Sequence, residues 1–207
     1  MLEPIRVLHI TGAMYPGGYE NFIMNLYENM DRSKIQFDMV VHARKENDYV
    51  PRIEAMGGRV YELPRLTKHP VQNLVGLYRI VKRNHYPIVI RHTSNAMVTP
   101  QLLVSKLAGA YTICHSHNET DPNYYAHKLG RLLMNLSTCE KIACSEKAGN
   151  GCLETIVFIL SETPSASKNS RLVKRKQTTF AGNLGLGHVV SMATSLTLLN
   201  PKIIASF

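Results

Sequence analysis

Residues 5–41 read IRVLHITGAMYPGGYENFIMNLYENMDRSKIQFDMVV, and the order of patterns within them decides the fold. IRVLHI (5–10) is a short apolar run with β-branched members, the pattern of a strand buried on both faces of a parallel sheet. A loop bearing Gly12, Gly17 and Gly18 follows. A helix pattern starts near Glu20, where Phe22, Ile23, Leu26 and Met30 recur at spacings of three and four and make one face apolar. FDMVV (37–41) is the second strand. Strand, glycine-bearing loop, helix and strand together are the opening unit of an α/β fold.

The alternation continues. Residues 50–56 form a short helix stopped at Gly57-Gly58, and 60–63 form a third strand closed by Pro64. A long amphipathic helix begins at Pro70 with Leu74, Leu77, Ile80 and Val81 on one side, and Lys82 and Arg83 in its last turn suit the helix dipole. Strands are expected at 88–90, 111–114 and 141–144, and helices at 96–107, ended by Gly109, and at 124–136. Ser145 stands where an N-cap would open a further helix. The reading is a doubly wound α/β fold, a parallel sheet flanked by helices, over residues 1–150. Ligands of such sheets bind outside the carboxyl ends of the strands. That rule directs attention to the 12–18 loop, His42, His92, His115 with His117, and Ser145.

Bulk properties exclude several classes. The chain has 207 residues, 44% hydrophobic and 19% charged, within the range of a folded globular protein. Glu3 precedes only a short apolar run, so no secretory leader is expected, and no apolar stretch reaches the roughly 18 residues of a membrane span. Cys114, Cys139, Cys144 and Cys152 form no CxxC pair and read as buried or idle thiols. A metal site on Cys114, His115 and His117 would lack further ligands at the usual spacing, so no metal and no cofactor are expected. The net charge of +9 suits anionic partners, but no nucleic-acid-binding motif accompanies it.

The glycine loop lies between a strand and a helix N-terminus, where backbone N–H groups can meet a phosphate. Its spacing is not GxGxxG, and the second strand runs into His42-Ala43-Arg44 without a terminal acid for a ribose, which disfavours a dehydrogenase. A plain turn needing positive φ explains the glycines equally well, and Glu20 equally fits simple pairing with the helix dipole.

GGYE, NFIMNLYE, DRSKIQFDMVV, IEAMGGRVYELPR, CHSHNE and ACSEKAG occur in that order across residues 5–149. In this order they resemble GT-B-fold glycosyltransferases of the group 1 (family 4) type, especially those of capsule and exopolysaccharide biosynthesis. The resemblance implies a retaining transferase that moves a sugar from a nucleotide diphosphate to a saccharide or lipid-linked acceptor. It would work in the cytoplasm, at the inner face of an anionic membrane, with the acceptor held mainly by this N-terminal domain. It implies a histidine facing the transferred sugar, either His115 or His117, and substrate contacts at Gly17, Gly18, Glu20, His92, Asn118 and Ser145. A buried, satisfied histidine remains the alternative for His92 and His115.

The resemblance stops at residue 150. From Gly151 onward there is no Tyr and no Asp, while all ten tyrosines lie before residue 126. Taking the last base of each codon with the first two of the next permits W-M-F-G, then R-N-A-I and K-N-H-S-F-L, phrases of the same family in order and in one frame. Residues 151–207 are therefore expected to be an out-of-frame tail, largely irregular, and the donor-binding domain to be missing. A non-catalytic acceptor- or partner-binding module is the alternative function.

Overall fold

A computed structural model describes residues 3–93, 99–116, 133–134, 136–138, 140–143 and 157–158. Among them run strands β1 (Ile5–Ile10), β2 (Ile35–Val41), β3 (Val60–Glu62), β4 (Ile88–Thr93), β5 (Tyr111–Ser116), β6 (Glu140–Ala143) and β7 (Val157–Phe158). Four helices alternate with them: α1 (Gly18–Asn29), α2 (Val50–Ala55), α3 (Pro70–Arg83) and α4 (Thr99–Leu107). All neighbouring strands pair in parallel, in the order β3-β2-β1-β4-β5-β6-β7. The chain winds outward from β1 to β3, returns to place β4 beside β1, and winds outward the other way. The order reverses between β1 and β4, and it is outside the carboxyl ends at such a switch point that ligands of these sheets bind.

Alternation along the strands divides the core into two layers. Val7, Phe37, Met39, Ile90 and Ile113 pack with Ile23, Met24 and Tyr27 of α1 and Ile53 of α2. Leu8, Ile10, Val40 and Val89 pack on the other face with Leu77 and Val81 of α3 and with Ala108 just after α4. Every residue of β2 is buried, as befits a strand covered on both faces.

The expected elements that fall among the described residues are present, with edges that differ for identifiable reasons. β2 begins at Ile35, two residues early, because Tyr27 Oη donates to Gln36 Oε1 at 2.6 Å and so carries a polar residue into the sheet. α1 begins at Gly18 rather than near Glu20. β4 runs past Ile90 to Thr93, and β5 runs past Cys114 to Ser116, with His92 opposite His115. Gly57 (φ 89°) and Gly109 (φ 105°) adopt the left-handed conformation expected of helix-ending glycines.

Residues 133–134 and 136–137 are helical, within the helix expected at 124–136, whose remainder lies outside the described residues. Ser145 also lies outside them, as does the rest of the expected tail. Past residue 150 the described part is β7, which pairs in parallel with β6 through Ile142↔Val157 and Ala143↔Phe158. Among the described residues, no helix is long and apolar enough to cross a membrane.

Candidate functional site

Three histidines cross the centre of the sheet. β1 places His9, β4 places His92 and β5 places His115 on the face that α1 covers, because each follows the apolar residues of that face by two. His92 and His115 are register partners, with ring centroids 5.2 Å apart. His9 stacks beside His92, also at 5.2 Å between centroids, and its Nδ1 lies 2.9 Å from His92 Nε2. Tyr19 of α1 stacks on His92 at 5.7 Å, and Phe22 meets His115 edge-on at 6.5 Å. The side of His9 away from His92 rests on Phe37, 4.2 Å between centroids.

All three rings are buried, with exposures of 1%, 2% and 4% for His9, His92 and His115. Burial penalises the imidazolium and pulls the His9 pKa down to about 3, so His9 is neutral near pH 7. A neutral ring holds one hydrogen, so the His9–His92 contact can be a hydrogen bond in either direction. The row stands at the carboxyl ends of β1, β4 and β5, and within it His9 Nε2 and His115 Nδ1 are buried.

The loop after β1 reaches the same place. Tyr19 Oη is 3.5 Å from the Gly12 N–H and close to the Glu20 carboxylate, and burial lifts the phenol to about 12. α1 has no side-chain cap at Gly17, so its first N–H groups are not taken by a capping side chain. Neither glycine has positive φ; Gly17 is extended, at φ −162°. The turn reading of the loop is thereby corrected. A Cβ at Gly17 would come 2.6 Å from Glu20 Oε2, whereas one at Gly18 would meet no atom within 4 Å. Glu20 folds its carboxylate back over the start of the helix, where the dipole favours it.

Gly17, Gly18, Glu20, His92 and His115 are thus gathered at one end of the sheet beside α1. His92 and His115 sit inside β4 and β5 rather than just after them. His117, Asn118 and the rim residue Ser145 lie outside the described residues. Sequence reasoning passed over His9, although a single polar ring near the end of an otherwise apolar strand face was a signal.

His42 belongs to a different network, on the opposite face. Its Nδ1–H donates to Leu63 O at 3.1 Å, and its Nε2 accepts from Gln101 Nε2 at 3.1 Å. Gln101 Nε2 also donates to Asn73 Oδ1 (2.9 Å), while Gln101 Oε1 accepts from Arg91 Nε (2.9 Å). Arg91 NH1 reaches Ile10 O at 3.0 Å and also the carbonyl of His92. Desolvation lowers the Arg91 pKa to about 10, which leaves it charged. Among the described residues, no cluster of three or more His, Cys, Asp or Glu could hold a metal ion.

No family model matches the chain. It is 31% identical over 152 residues to EpsF of Bacillus subtilis (strain 168), named as a candidate glycosyltransferase; the match covers 70% of this chain and 40% of that protein. The fold is similar to that of Anabaena Alr3699/HepE in complex with UDP and glucose (TM-score 0.57, 16% identity, 77% of this chain and 45% of that one). It is also similar to the UDP-GlcNAc 2-epimerase of Neisseria meningitidis bound to UDP-GlcNAc (TM-score 0.50, 12% identity, 72% and 42%). The chain therefore spans less than half the length of these proteins. The sequence match and the shared fold make it a GT-B glycosyltransferase-like protein.

Proposed function

We propose that the chain is the acceptor-side domain of a retaining, nucleotide-sugar-dependent glycosyltransferase of polysaccharide biosynthesis. The carrying observation is the row of buried imidazoles at the carboxyl ends of the strands, beside an α1 N-terminus without a side-chain cap, in a chain that matches EpsF across 152 residues. The fold alone does not choose the chemistry, since epimerases share it. UDP and UDP-sugars in the similar structures support a nucleotide-diphosphate sugar as donor. In this reading His115, or His117 beyond it, hydrogen-bonds the sugar being transferred. His92, Asn118 and Ser145 line the acceptor, and Gly17 and Gly18 allow close approach of its backbone-facing groups. The acceptor is a saccharide or a lipid-linked sugar at the cytoplasmic membrane face.

Turnover by these 207 residues alone is not expected, because the charge that stabilises a leaving diphosphate is proposed to belong to a second domain. We propose that residues 151–207 are read out of frame; composition and the alternative-frame phrases support this reading. The test begins with the gene sequence from codon 140 to well past the stop. A continuation into a donor domain in the alternative frame permits a frame-corrected chain, which should transfer sugar from a UDP-sugar panel while the 207-residue chain should not. Transfer by neither, with saccharide acceptor still bound, would favour the non-catalytic module. Transfer by the 207-residue chain would overturn the need for a second domain.

A further inference from the structure

Arg91 is a buried cation whose partners are all neutral. It stands opposite Ile10 in the register of β1 and β4, on the face that α3 and α4 cover, and is 9% exposed. A guanidinium carries five N–H donors. The Nε–H goes to Gln101 Oε1 at 2.9 Å, and Nη1 serves the carbonyls of Ile10, at 3.0 Å, and His92. The two N–H groups of Nη2 have no acceptor among the described residues. Nη2 is not a buried atom left unpaired, so it meets solvent.

No carboxylate compensates this charge. Residues 64–117, which supply α3, β4, α4 and β5, contain no Asp or Glu. Glu62, just before them, is held by Arg44 at 3.2 Å. A second cation joins the first: Arg65, exposed in the turn after β3, makes no ion pair among the described residues. His42 feels both. Burial chiefly lowers its pKa, the hydrogen bond with Leu63 O opposes this, and the charges of Arg91 and Arg65 lower it further, with no carboxylate acting on it. Asn73 Nδ2 donates to Pro64 O at 2.7 Å and so holds this turn against the start of α3, a helix with no side-chain cap at His69.

We infer that Arg91 Nη2 and Arg65, beside the opening turn of α3, bind a phosphate group carried by the acceptor. A charge taken out of water without a counter-ion is costly, and an anion held by the two outward N–H groups removes that cost. Donors that arrive from two guanidinium groups and a helix start suit the tetrahedral oxygens of a phosphate better than the planar pair of a carboxylate. The site lies across the sheet from α1 and the histidine row, at the same switch point between β1 and β4. A sugar held here by its phosphate extends over the carboxyl ends of the strands toward His92 and His115. Assigning the phosphate to the acceptor rests on the function proposed above; the anion site itself does not.

The test is calorimetric titration of the full 207-residue chain with inorganic phosphate and glucose 6-phosphate, against glucose, glucuronate and UDP. Phosphate and glucose 6-phosphate should bind, and glucose should not. Arg65→Gln, at an exposed position, should weaken both by about tenfold, the scale of one charged hydrogen bond, with the denaturation midpoint unchanged. Arg91→Lys keeps the charge but loses the Nη2 pair, and should weaken both at least as much; if it does not fold, Arg65→Gln decides. K82Q/R83Q, in the last turn of α3, should change neither and controls for net charge. Absence of phosphate binding overturns the inference, as does equal binding by the wild type and Arg65→Gln. So does phosphate binding abolished by Gly18→Ala instead, which would put the anion on α1. Tighter binding of glucuronate than of glucose 6-phosphate overturns the choice of phosphate. Weakened UDP binding with intact glucose 6-phosphate binding in the arginine variants overturns the assignment to the acceptor. Sugar transfer by the frame-corrected chain is read separately, so phosphate binding without transfer would sink the proposed function and leave the anion site standing.

Discussion

His9 Nδ1 lies 2.9 Å from His92 Nε2, joining β1 to β4 where the strand order reverses. The pair has a pH signature. The folded His9 pKa, near 3, stands below the ordinary value of 6.5, so between these limits the unfolded chain holds a proton that the folded chain does not. Stability linked to His9 is therefore complete above pH 6.5 and is lost as pH falls toward 3, by about 1.4 kcal/mol per pH unit within that window. Urea denaturation at a series of pH values from 7 to 5 should show this slope. His9→Gln should flatten it while lowering stability at pH 7, and an unchanged slope would remove His9 as its source.

Gln101 is the hub of the opposite face, bonded at once to Arg91, His42 and Asn73. Gln101→Leu would remove the acceptor of Arg91 Nε and the donors to His42 Nε2 and Asn73 Oδ1 together. Buried polar groups left unmade in this way lose on the order of 1–3 kcal/mol each, so a loss of about 3 kcal/mol or more is expected in the denaturant midpoint. A loss under about 1 kcal/mol would mean that water or a neighbour takes over these bonds.

The two histidines of β4 and β5 explain why strand ends were hard to read. The apolar runs at 5–10, 37–41 and 88–90 announce strands because both faces of the sheet are covered, and the helix periods at 18–29 and 70–83 are equally plain. Arg91, His92 and His115 look like loop residues in sequence. They remain in strands because partners distant in the chain satisfy or cover them: Gln101 and Ile10 O for Arg91, His9 and Tyr19 for His92, Phe22 for His115. Local pattern carries no record of such partners. The same holds for Gln36, drawn into β2 by Tyr27. The glycine loop was recognisable as a candidate site, but its uncapped, extended geometry depends on three-dimensional placement.

Asp38 offers a second test of buried polar design. Its Oδ1 meets Arg6 NH1 at 2.5 Å and the Arg59 N–H at 2.7 Å, and its Oδ2 accepts from Tyr86 Oη at 2.6 Å. Asp38→Asn would turn a donor-facing carboxylate into a group with its own N–H donors and leave Arg6 without its counter-ion. A loss of about 3 kcal/mol is expected. Tyr86→Phe removes one donor only and should cost about 1 kcal/mol. The reverse order of severity would argue that the Tyr86 hydroxyl, which also lies 3.2 Å from Tyr61 Oη, anchors the network.

Two glycines separate packing from approach. A Cβ at Gly58 would stand 2.7 Å from the Phe37 carbonyl and 2.7 Å from Ile53 Cγ2, so backbone must shift. Gly58→Ala should destabilise the chain by about 1–3 kcal/mol. A Cβ at Gly18 meets nothing within 4 Å, and the residue is the first of α1, where alanine is a better helix former than glycine. Gly18→Ala should leave stability unchanged or raise it by up to about 1 kcal/mol. If a substrate uses the open backbone there, the same variant should weaken saccharide or nucleotide-sugar binding in calorimetric titration while the denaturation midpoint holds. Unchanged binding with unchanged stability would leave Gly18 as a spacer and move the contact to the Gly12–Gly17 side of the loop.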